Sequence, residues 1–441
     1  MTMKNLRRLL LLTILLLVLG GCVPVAAPTE APAAPEGAAE EPAEEVVTLR
    51  WVEWWDAEYG EDTMDGLIAR FEAENPDIKV ERVEQPWGSM YDSILTSAQA
   101  ETATYDVLGM EACCWLSALV KLGALEPIGP YLEQDPEFAE DLVPLSPVTW
   151  LDDVYMLNWY VMPYAYAYNV GAFEEAGLEP PTNWDEMVEV TKALNESDAI
   201  EFGLGGAFNG PVEAMYYNFG SRLAQLGGRL YDENNCAVFN SSEGVQAMED
   251  WKALFQGGLL APGAIGSTEN DLVDFMKAGR IAAMFNGPWV RSKVRLGNPD
   301  IEVAFAPAWT DAQTGSGGYQ WAGSGLAISS NSQHKDEAWR FIKFLLSDET
   351  SKWMAEQESV GYATQAAFDS FADSGDPILE RYLDMMNQDP EHNLFLDPTV
   401  DFSVHNDFVA GFQDVLQGNR EAQEVLDEIV ELWNAELEQC Q

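Results

Sequence analysis

The sequence predicts an α/β protein that is divided into two domains. Segments with the alternating pattern of β-strands and segments with the spacing of helices follow one another from about residue 47 onward. The chain has 441 residues, which is more than one hydrophobic core usually organises. Because 47% of the residues are hydrophobic, the chain can bury two cores.

The N-terminus has the pattern of a secretion signal. Basic residues between positions 4 and 8 precede an apolar run at 9–19, which is too short to span a membrane comfortably. The run ends in LGGC at 19–22, which resembles a bacterial lipobox. We therefore expect residues 1–21 to be removed and Cys22 to carry a lipid, the alternative being a chance cysteine in a plain secretion signal.

The next segment, 22–46, consists mostly of Ala, Pro, Glu and Thr. It has too few large apolar side chains to form a core, so we expect a disordered tether. Together with the lipid, it would hold the folded part at the cell membrane, on the extracytoplasmic side.

Charge excludes several classes of partner. The chain has 23 Lys plus Arg against 74 Asp plus Glu, a formal net charge of −51. Nothing in this balance offsets repulsion by phosphate, so nucleic acid and anionic lipid surfaces are not expected partners. The only expected contact with the membrane is through the lipid on Cys22.

The folded part begins with a strand–helix–strand pattern. A strand is predicted at 46–52, a helix at 63–74 and a second strand at 78–83. A helix at 87–100 and a strand at 105–109 repeat the order. The succession is typical of βαβ units.

A tyrosine-rich strand at 161–169 follows. Tyr164, Tyr166 and Tyr168 recur with period two. We interpret this segment as a crossing between two lobes that floors a ligand cleft, with Pro163 and Tyr164 at the hinge and Tyr164 facing the ligand. The alternative is an ordinary half-buried strand.

Later segments have equally clear local signals. Asn183 is placed to cap a helix at 184–194, and a helix that ends at 275–279 is followed by a buried strand at 281–285. Further helices are predicted at 338–346 and 421–437. Four tryptophans in regular elements are assigned to the core, namely Trp51, Trp251, Trp339 and Trp353.

Seven short motifs follow one another along the chain. They are NPDIKV at 75–80, YDV at 105–107, LGALEP at 122–127, YNVGAFEEAGL at 168–178, PPTNWDE at 180–186, FMKAGRIAAMFNGPW at 275–289 and KDEAWRFIKFL at 335–345. In this order they resemble the bacterial family 1 extracellular solute-binding proteins, the maltose-binding-protein-like group of ABC importers. The resemblance spans roughly residues 47–435.

The resemblance implies a two-lobed periplasmic-binding-protein type II fold, in which each lobe is a mixed sheet flanked by helices and a hinge joins the lobes. The first lobe would comprise 47–163 and about 318–355, and the second 168–312 and about 360–441. It further implies a solute-binding lipoprotein, not an enzyme, that closes on a mono- or oligosaccharide and delivers it to the transmembrane subunits of an ABC permease. We expect a monomer without a cofactor or metal.

Candidate ligand-binding residues are aromatic or acidic side chains at predicted strand ends and loops. Sugars suit such a site because their C–H faces are apolar while their hydroxyls need polar partners. The resemblance carries over best to Trp289, whose counterpart stacks on a sugar ring, and less directly to Tyr216, Tyr217 and the loop at 110–113. The candidates are Trp54, Trp55, Asp56, Trp87, Glu111, Trp115, Tyr164, Tyr216, Tyr217, Trp289, Tyr319, Trp321 and Tyr362.

Four cysteines remain after Cys22 in an oxidising compartment. Cys236 and Cys440 both fall in the expected second lobe and are candidates for a disulfide. Cys113 and Cys114 are adjacent, and they form either a vicinal disulfide or two buried thiols.

Two alternative functions remain open. A secreted glycoside hydrolase would need two carboxylates across a cleft, and Asp56 and Glu111 are conceivable for that role. A binding protein for a polyamine or an iron complex is the other. The glycine-rich loop at 315–321 has neither a Gly-Lys-Thr sequence nor a basic residue, so we do not expect nucleotide binding.

Overall fold

Two separate β-sheets organise the chain in the computed structural model. The structure describes residues 46–100, 103–111, 115–143, 146–150, 153–357, 364, 381, 384–385, 388–394, 402–437 and 440. The strands are β1 Val47–Glu53, β2 Ile78–Glu84, β3 Val107–Glu111, β4 Pro147–Trp150, β5 Asp153–Pro163, β6 Ala165–Asn169, β7 Phe202–Leu204, β8 Ile281–Asn286, β9 Val303–Phe305 and β10 Trp321–Ile328.

The first lobe is built on the larger sheet, which has the order β2-β1-β3-β10-β5-β4. β1 is parallel to β2 and β3, whereas β10 runs antiparallel to β3 and β5. The parallel pairing brings the carboxyl ends of β1 and β3 to one edge of the sheet. Ligands of open α/β sheets bind at such an edge.

The second lobe is built on the smaller sheet, with the order β7-β8-β6-β9. β6 pairs antiparallel with β8 and β9, and β7 is parallel to β8. β8 is buried along its whole length, as its uninterrupted apolar sequence predicts. The two mixed sheets agree with the predicted fold class.

The tyrosine-rich segment is not one continuous strand. β5 ends at Pro163 in the first sheet, β6 begins at Ala165 in the second, and Tyr164 lies between them. Tyr166 is buried against Phe285 and Trp309 in the second lobe. The segment therefore crosses between the sheets at the tyrosine that we expected at the hinge.

A second crossing runs beside the first. The Tyr164 amide donates a hydrogen bond to the Gln320 carbonyl over 2.8 Å, and Trp321 pairs with Pro163 at the start of β10. A third segment lies beside these two, because the main chain of Leu394 forms hydrogen bonds with the main chain of Tyr319 and Trp321. The predicted third crossing, near 360–362, lies outside the described residues, and the predicted lobe boundaries stay predictions.

Helices cover the sheets. They are α1 Asp56–Tyr59, α2 Glu61–Glu74, α3 Trp87–Ala98, α4 Leu116–Lys121, α5 Gly129–Gln134, α6 Pro136–Asp141, α7 Val170–Ala176, α8 Trp184–Glu196, α9 Ser221–Gln225, α10 Ser242–Gln256, α11 Glu269–Lys277, α12 Trp289–Gly297, α13 Lys335–Leu345, α14 Asp348–Glu356, α15 Phe402–Gln417 and α16 Ala422–Ala435. Val212–Gly220, just before α9, is a π-helix, and Ala264–Gly266 and Pro390–His392 are 3₁₀ turns. Among the described residues no helix is long and apolar enough to cross a bilayer.

The structure confirms the predicted helix cap at Asn183 and most of the tryptophans predicted in the core. The Asn183 side chain accepts a hydrogen bond from the Glu186 amide at the start of α8, which confirms the predicted cap. α13 returns to the first lobe, where the Trp159 indole donates to the Leu345 carbonyl. Trp51, Trp251 and Trp339 are buried, as predicted, whereas Trp353 is half-buried beneath Arg70.

Cys236 and Cys440 form a disulfide across a sequence separation of 204 residues. Beside it, Asn434 exchanges two hydrogen bonds with the main chain of Ala237. These contacts tie the C-terminal region to the loop before α10. Cys113 and Cys114 lie outside the described residues.

Replacing Cys236 and Cys440 together by serine should lower the free energy of unfolding by about 2–4 kcal/mol, because the unfolded chain gains the freedom of a long loop. Chemical denaturation under oxidising conditions measures this change. Glu233→Ser, in the same loop and exposed, is the control and should shift stability by at most about 0.5 kcal/mol. Equal stability of the double variant and the control would contradict the prediction.

Candidate functional site

A cavity lies where the two sheets meet, with a volume of about 70 Å³ open to water-sized molecules. Side chains from both lobes line it, and the hinge residue Tyr164 is among them. The lining residues are Trp54, Glu58, Trp87, Glu111, Tyr160, Tyr164, Val212, Glu213, Tyr217, Glu269, Asn270, Trp289, Lys293 and Ser324.

The first lobe contributes residues from strand ends. Trp54 follows β1 directly, Glu58 lies on the short helix α1, and Glu111 ends β3. The start of α1 is held by Arg82, whose guanidinium pairs with Glu53 and Asp56. This clamp orients α1 so that Glu58 reaches the cavity.

The second lobe contributes residues from helix starts. α11 begins at Glu269, and its start is stabilised by a capping box between Thr268 before the helix and Asp271 in its first turn. α12 begins at Trp289, directly after the turn that follows β8. Lys293 is four residues beyond Trp289 and so lies on the same face of α12. The capping box satisfies backbone amides at the start of α11 and so helps to fix the direction of Glu269.

A π-helix supplies the rest of that wall. In a π-helix, residues five apart share a face, so Val212 and Tyr217 both line the cavity. Tyr217 packs on Tyr164 with 4.4 Å between ring centroids, and Tyr164 meets Trp289 edge-on at 5.9 Å. The hinge tyrosine is thereby held by two aromatic rings of the second lobe.

Glu269 is the best-satisfied carboxylate of the site. It accepts hydrogen bonds from the Tyr217 hydroxyl, the Trp289 indole and the Lys293 ammonium, each over 2.9 Å. Burial by itself would raise its pKa, but the charge and hydrogen bond of Lys293, with the other two donors, bring the pKa below its ordinary value. Glu269 is therefore ionised at neutral pH.

Glu58 is less well compensated. Its Oε1 accepts from the Trp54 indole over 3.2 Å and lies 3.7 Å from the Lys293 ammonium, a contact that joins the two lobes. Burial raises the pKa of Glu58 to about 7, since Lys293 offsets only part of this effect and nearby Glu269 adds to it.

Two further carboxyls have neutral partners. Glu111 accepts from the Ser324 hydroxyl over 2.7 Å and from the Trp87 indole over 3.2 Å, and burial with repulsion by Glu58 raises its pKa to about 8. Glu213 accepts from the Glu269 amide over 2.8 Å, and its pKa is raised by burial. These groups hold protons at a pH where free carboxyls are ionised.

Six of the candidates from the sequence line the cavity: Trp54, Trp87, Glu111, Tyr164, Tyr217 and Trp289. Whether each of them contacts a ligand stays a prediction.

Three other candidates from the first lobe do not line it. Trp55 is fully buried against Trp51 and Trp159, because the pair Trp54–Trp55 divides between cavity and core. Trp115 packs behind Trp54 and Trp87. Asp56 is turned to Arg82, so the structure does not bring Asp56 and Glu111 together in the cavity.

The remaining candidates are placed elsewhere or lie outside the described residues. The Tyr216 hydroxyl is 2.6 Å from His405 Nε2 in the core of the second lobe. Tyr319 is buried and accepts a hydrogen bond from the Trp309 amide. Trp321 is buried in the second crossing. Tyr362 lies outside the described residues.

The sequence analysis did not single out eight lining residues, which are Glu58, Tyr160, Val212, Glu213, Glu269, Asn270, Lys293 and Ser324. Lys293 had a usable signal, since it follows the predicted contact Trp289 at helical spacing. The two residues from the start of the π-helix had none, because the wider turn has no recognisable sequence pattern.

Comparison with known proteins agrees with this architecture. Residues 57–352 match the model of the family described as bacterial extracellular solute-binding protein. An uncharacterised lipoprotein of Streptomyces antibioticus is 27% identical over 353 residues, which is 76% of this chain and 72% of the relative. The arabinooligosaccharide-binding protein of Bacillus subtilis is 23% identical over 291 residues, 63% and 64% of the two chains.

A solved structure has the same fold. The ABC transporter solute-binding protein of Thermotoga lettingae, bound to α-D-tagatose, superposes with a TM-score of 0.77. It is 24% identical, and the match covers 89% of this chain and all of that one. Two lobes are thus the shared architecture.

Glu111→Gln should make stability less dependent on pH. The unfolded chain loses this proton near the ordinary pKa of 4.5, whereas burial raises the pKa of Glu111 in the folded protein to about 8. Between these pH values the folded state holds a proton that the unfolded state has lost, so stability falls as pH rises. The wild type should therefore lose up to about 4 kcal/mol more than the variant between pH 5 and pH 8. Urea denaturation at both pH values measures the difference.

The exposed Glu133→Gln in the same lobe is the matched control, and it should keep the wild-type pH dependence. A Glu111→Gln variant whose stability falls as steeply as that of the wild type would show that Glu111 is ionised in the folded protein.

Proposed function

Because this chain belongs to the bacterial extracellular solute-binding protein family, we propose that it binds a carbohydrate between its two lobes and delivers it to an ABC permease. The site that would do this is the cavity at the crossing, and its ligand contacts would come from the aromatic and acidic side chains described above.

One observation carries the proposal: aromatic rings and carboxyl groups from both lobes line one cavity at the hinge. A pyranose or furanose ring has apolar C–H faces that pack on indole and phenol rings. Its hydroxyls need hydrogen-bond acceptors, which the glutamates supply. Trp289 and Tyr164 are the strongest candidates for stacking because both line the cavity and Tyr164 lies at the crossing between the sheets.

Related proteins support a sugar as the solute. The relative from Bacillus subtilis is named for an arabino-oligosaccharide, and the structure from Thermotoga lettingae contains a ketohexose.

Closure of the lobes would couple binding to transport. The two described crossings lie side by side and are hydrogen-bonded at Tyr164 and Gln320, so they can bend together without unfolding either sheet. The Lys293–Glu58 contact then joins the lobes across the cavity. We propose that the permease recognises this closed arrangement.

Anchoring belongs to the same proposal. The lipobox at 19–22 and the composition of 22–46 favour a protein that is lipidated at Cys22 and tethered outside the cytoplasm. A relative from Streptomyces antibioticus that is named a lipoprotein supports this assignment.

A thermal-shift screen of mono- and oligosaccharides tests the binding function, because a ligand that binds only the folded state raises its melting temperature. Hits are then incubated with the protein, and the sugar is recovered and analysed. Unchanged sugar supports binding alone, whereas new reducing ends would identify a hydrolase instead.

Trp289→Ala should weaken the binding of the identified sugar by about tenfold or more, because a stacking platform and the indole donor to Glu269 are both lost. Titration calorimetry measures the affinity, and circular dichroism checks folding. Trp150→Ala, which truncates a half-buried tryptophan of β4 outside the cavity, is the control. Unaltered affinity in Trp289→Ala would remove this residue from the binding site.

Cys22→Ser should release the protein from the membrane fraction, because the modified thiol is the attachment point for the lipid. Cell fractionation and incorporation of a labelled fatty acid measure the effect, with Ser97→Ala as an unrelated control. A Cys22→Ser protein that still incorporates the labelled fatty acid would contradict lipid anchoring at this position.

A further inference from the structure

The charges that line the cavity are out of balance. Its described lining contains four glutamates against one lysine. Lys293 is already engaged by Glu269 at 2.9 Å and by Glu58 at 3.7 Å. Glu111 and Glu213 have the neutral partners described above. An excess of buried carboxyl groups therefore faces the space that a ligand would fill.

One oxygen in this set has no hydrogen-bond partner among the residues that the structure describes. Glu58 is 4% exposed, and its Oε1 contacts both the Trp54 indole and the Lys293 ammonium, while its Oε2 is buried and meets no donor from the described part of the chain. A buried carboxylate oxygen without a donor is costly, and native proteins satisfy such groups with a partner or a ligand. Because Glu58 lines the cavity, a bound molecule can supply that donor.

The surroundings of Glu58 favour a cationic donor. Trp54, Tyr160 and Tyr164 bring aromatic rings into the same cavity. The faces of such rings attract ammonium groups, most strongly where water is excluded. A carboxylate together with aromatic faces is a combination that recognises an amine.

We infer that the sugar bound here is an amino sugar, whose ammonium group is held by the free oxygen of Glu58 and whose C–H faces pack on the aromatic rings. This inference rests on the proposed function and refines it. A neutral sugar could satisfy the same rings, but it carries no charge that could replace the protons on the surplus carboxyl groups. A polyamine could satisfy the charge, but it lacks the ring faces.

Proton release is the signature that separates an aminated ligand from a neutral one. The raised pKa values of Glu58 and Glu111 mean that protons compensate the surplus negative charge. A bound ammonium group favours the ionised carboxyl and lowers its pKa, so protons leave on binding. The charged or titratable groups that line the cavity with Glu58 are Lys293 on α12, Glu269 on α11, Glu213 and Tyr217 on the π-helix, Glu111 on β3, Tyr160 on β5 and Tyr164 at the hinge.

The experiment compares matched ligands. Glucosamine, galactosamine and the β-1,4-linked glucosamine disaccharide are each paired with the analogue that has a hydroxyl group in place of the amine, and with the N-acetylated form. Spermidine is included as an amine without a sugar ring. Affinities are measured by titration calorimetry at about pH 6.5 in phosphate and in imidazole, and the difference in heat between the buffers counts the protons released.

We expect at least one amino sugar to bind roughly tenfold or more tightly than its hydroxyl analogue, as a charge-assisted hydrogen bond predicts, and to release protons. Tight binding of neutral sugars without proton release would overturn this inference and leave the proposed function intact. Binding of spermidine but of no sugar would support recognition of an amine and overturn the carbohydrate function. Failure of every aminated compound to bind would overturn the inference.

Glu58→Gln assigns the effect to this residue. It keeps the size of the side chain and removes the charge, so the preference for the amino sugar over its hydroxyl analogue should fall by roughly tenfold. Glu61→Gln makes the same chemical change at an exposed position nearby and should keep the wild-type preference. If Glu58→Gln does not fold, Glu111→Gln gives a second readout, since it should reduce the number of protons released. An unchanged preference in a folded Glu58→Gln variant would exclude Glu58 as the amine site.

Discussion

The arrangement of the cavity depends on the ion pairs that the buried ammonium group of Lys293 forms with two glutamates. The ammonium group lies 2.9 Å from Glu269 in its own lobe and 3.7 Å from Glu58 in the other lobe. Three of the cavity's glutamates, Glu58, Glu213 and Glu269, therefore have their ionisation coupled to one cation. Because an isolated buried charge is unstable, this pairing keeps α1 and α12 in contact and holds the lobes together at the site.

The backbone directs the other side chains to the same place. The carboxyl ends of β1 and β3 meet at one edge of the first sheet, which brings Trp54 and Glu111 together. In the second lobe, helix starts and a π-helix present Glu269, Trp289 and Tyr217. Tyr164 lies between the sheets and packs against Tyr217 and Trp289. A movement of the hinge would therefore displace the aromatic rings that line the cavity.

Much of the fold was predictable because its signals are local. The caps, the alternation of strands and helices and the buried β8 follow from short stretches of sequence, and the residues of the crossing were recognised from their position between two patterns. The segment 161–169 was predicted as a strand that crosses between the lobes, and the structure divides it into β5 and β6 at Tyr164. Alternation by itself cannot tell one sheet from two. The pattern of tyrosines continues across Tyr164 although the hydrogen-bond partners change there.

The sequence by itself determined the α/β class and the order of most elements, and it predicted a secretion signal and an aromatic-rich cleft with Trp289 as a leading candidate. Only the tertiary structure decided which aromatic of a pair faces the cavity, as with Trp54 and Trp55, and which carboxylates gather around Lys293. The physical reason is that a residue's type limits the chemistry it can perform, whereas its direction depends on packing between distant elements. Glu58, Glu111, Glu213 and Glu269 come from four such elements, and their charges affect one another only after both lobes have formed.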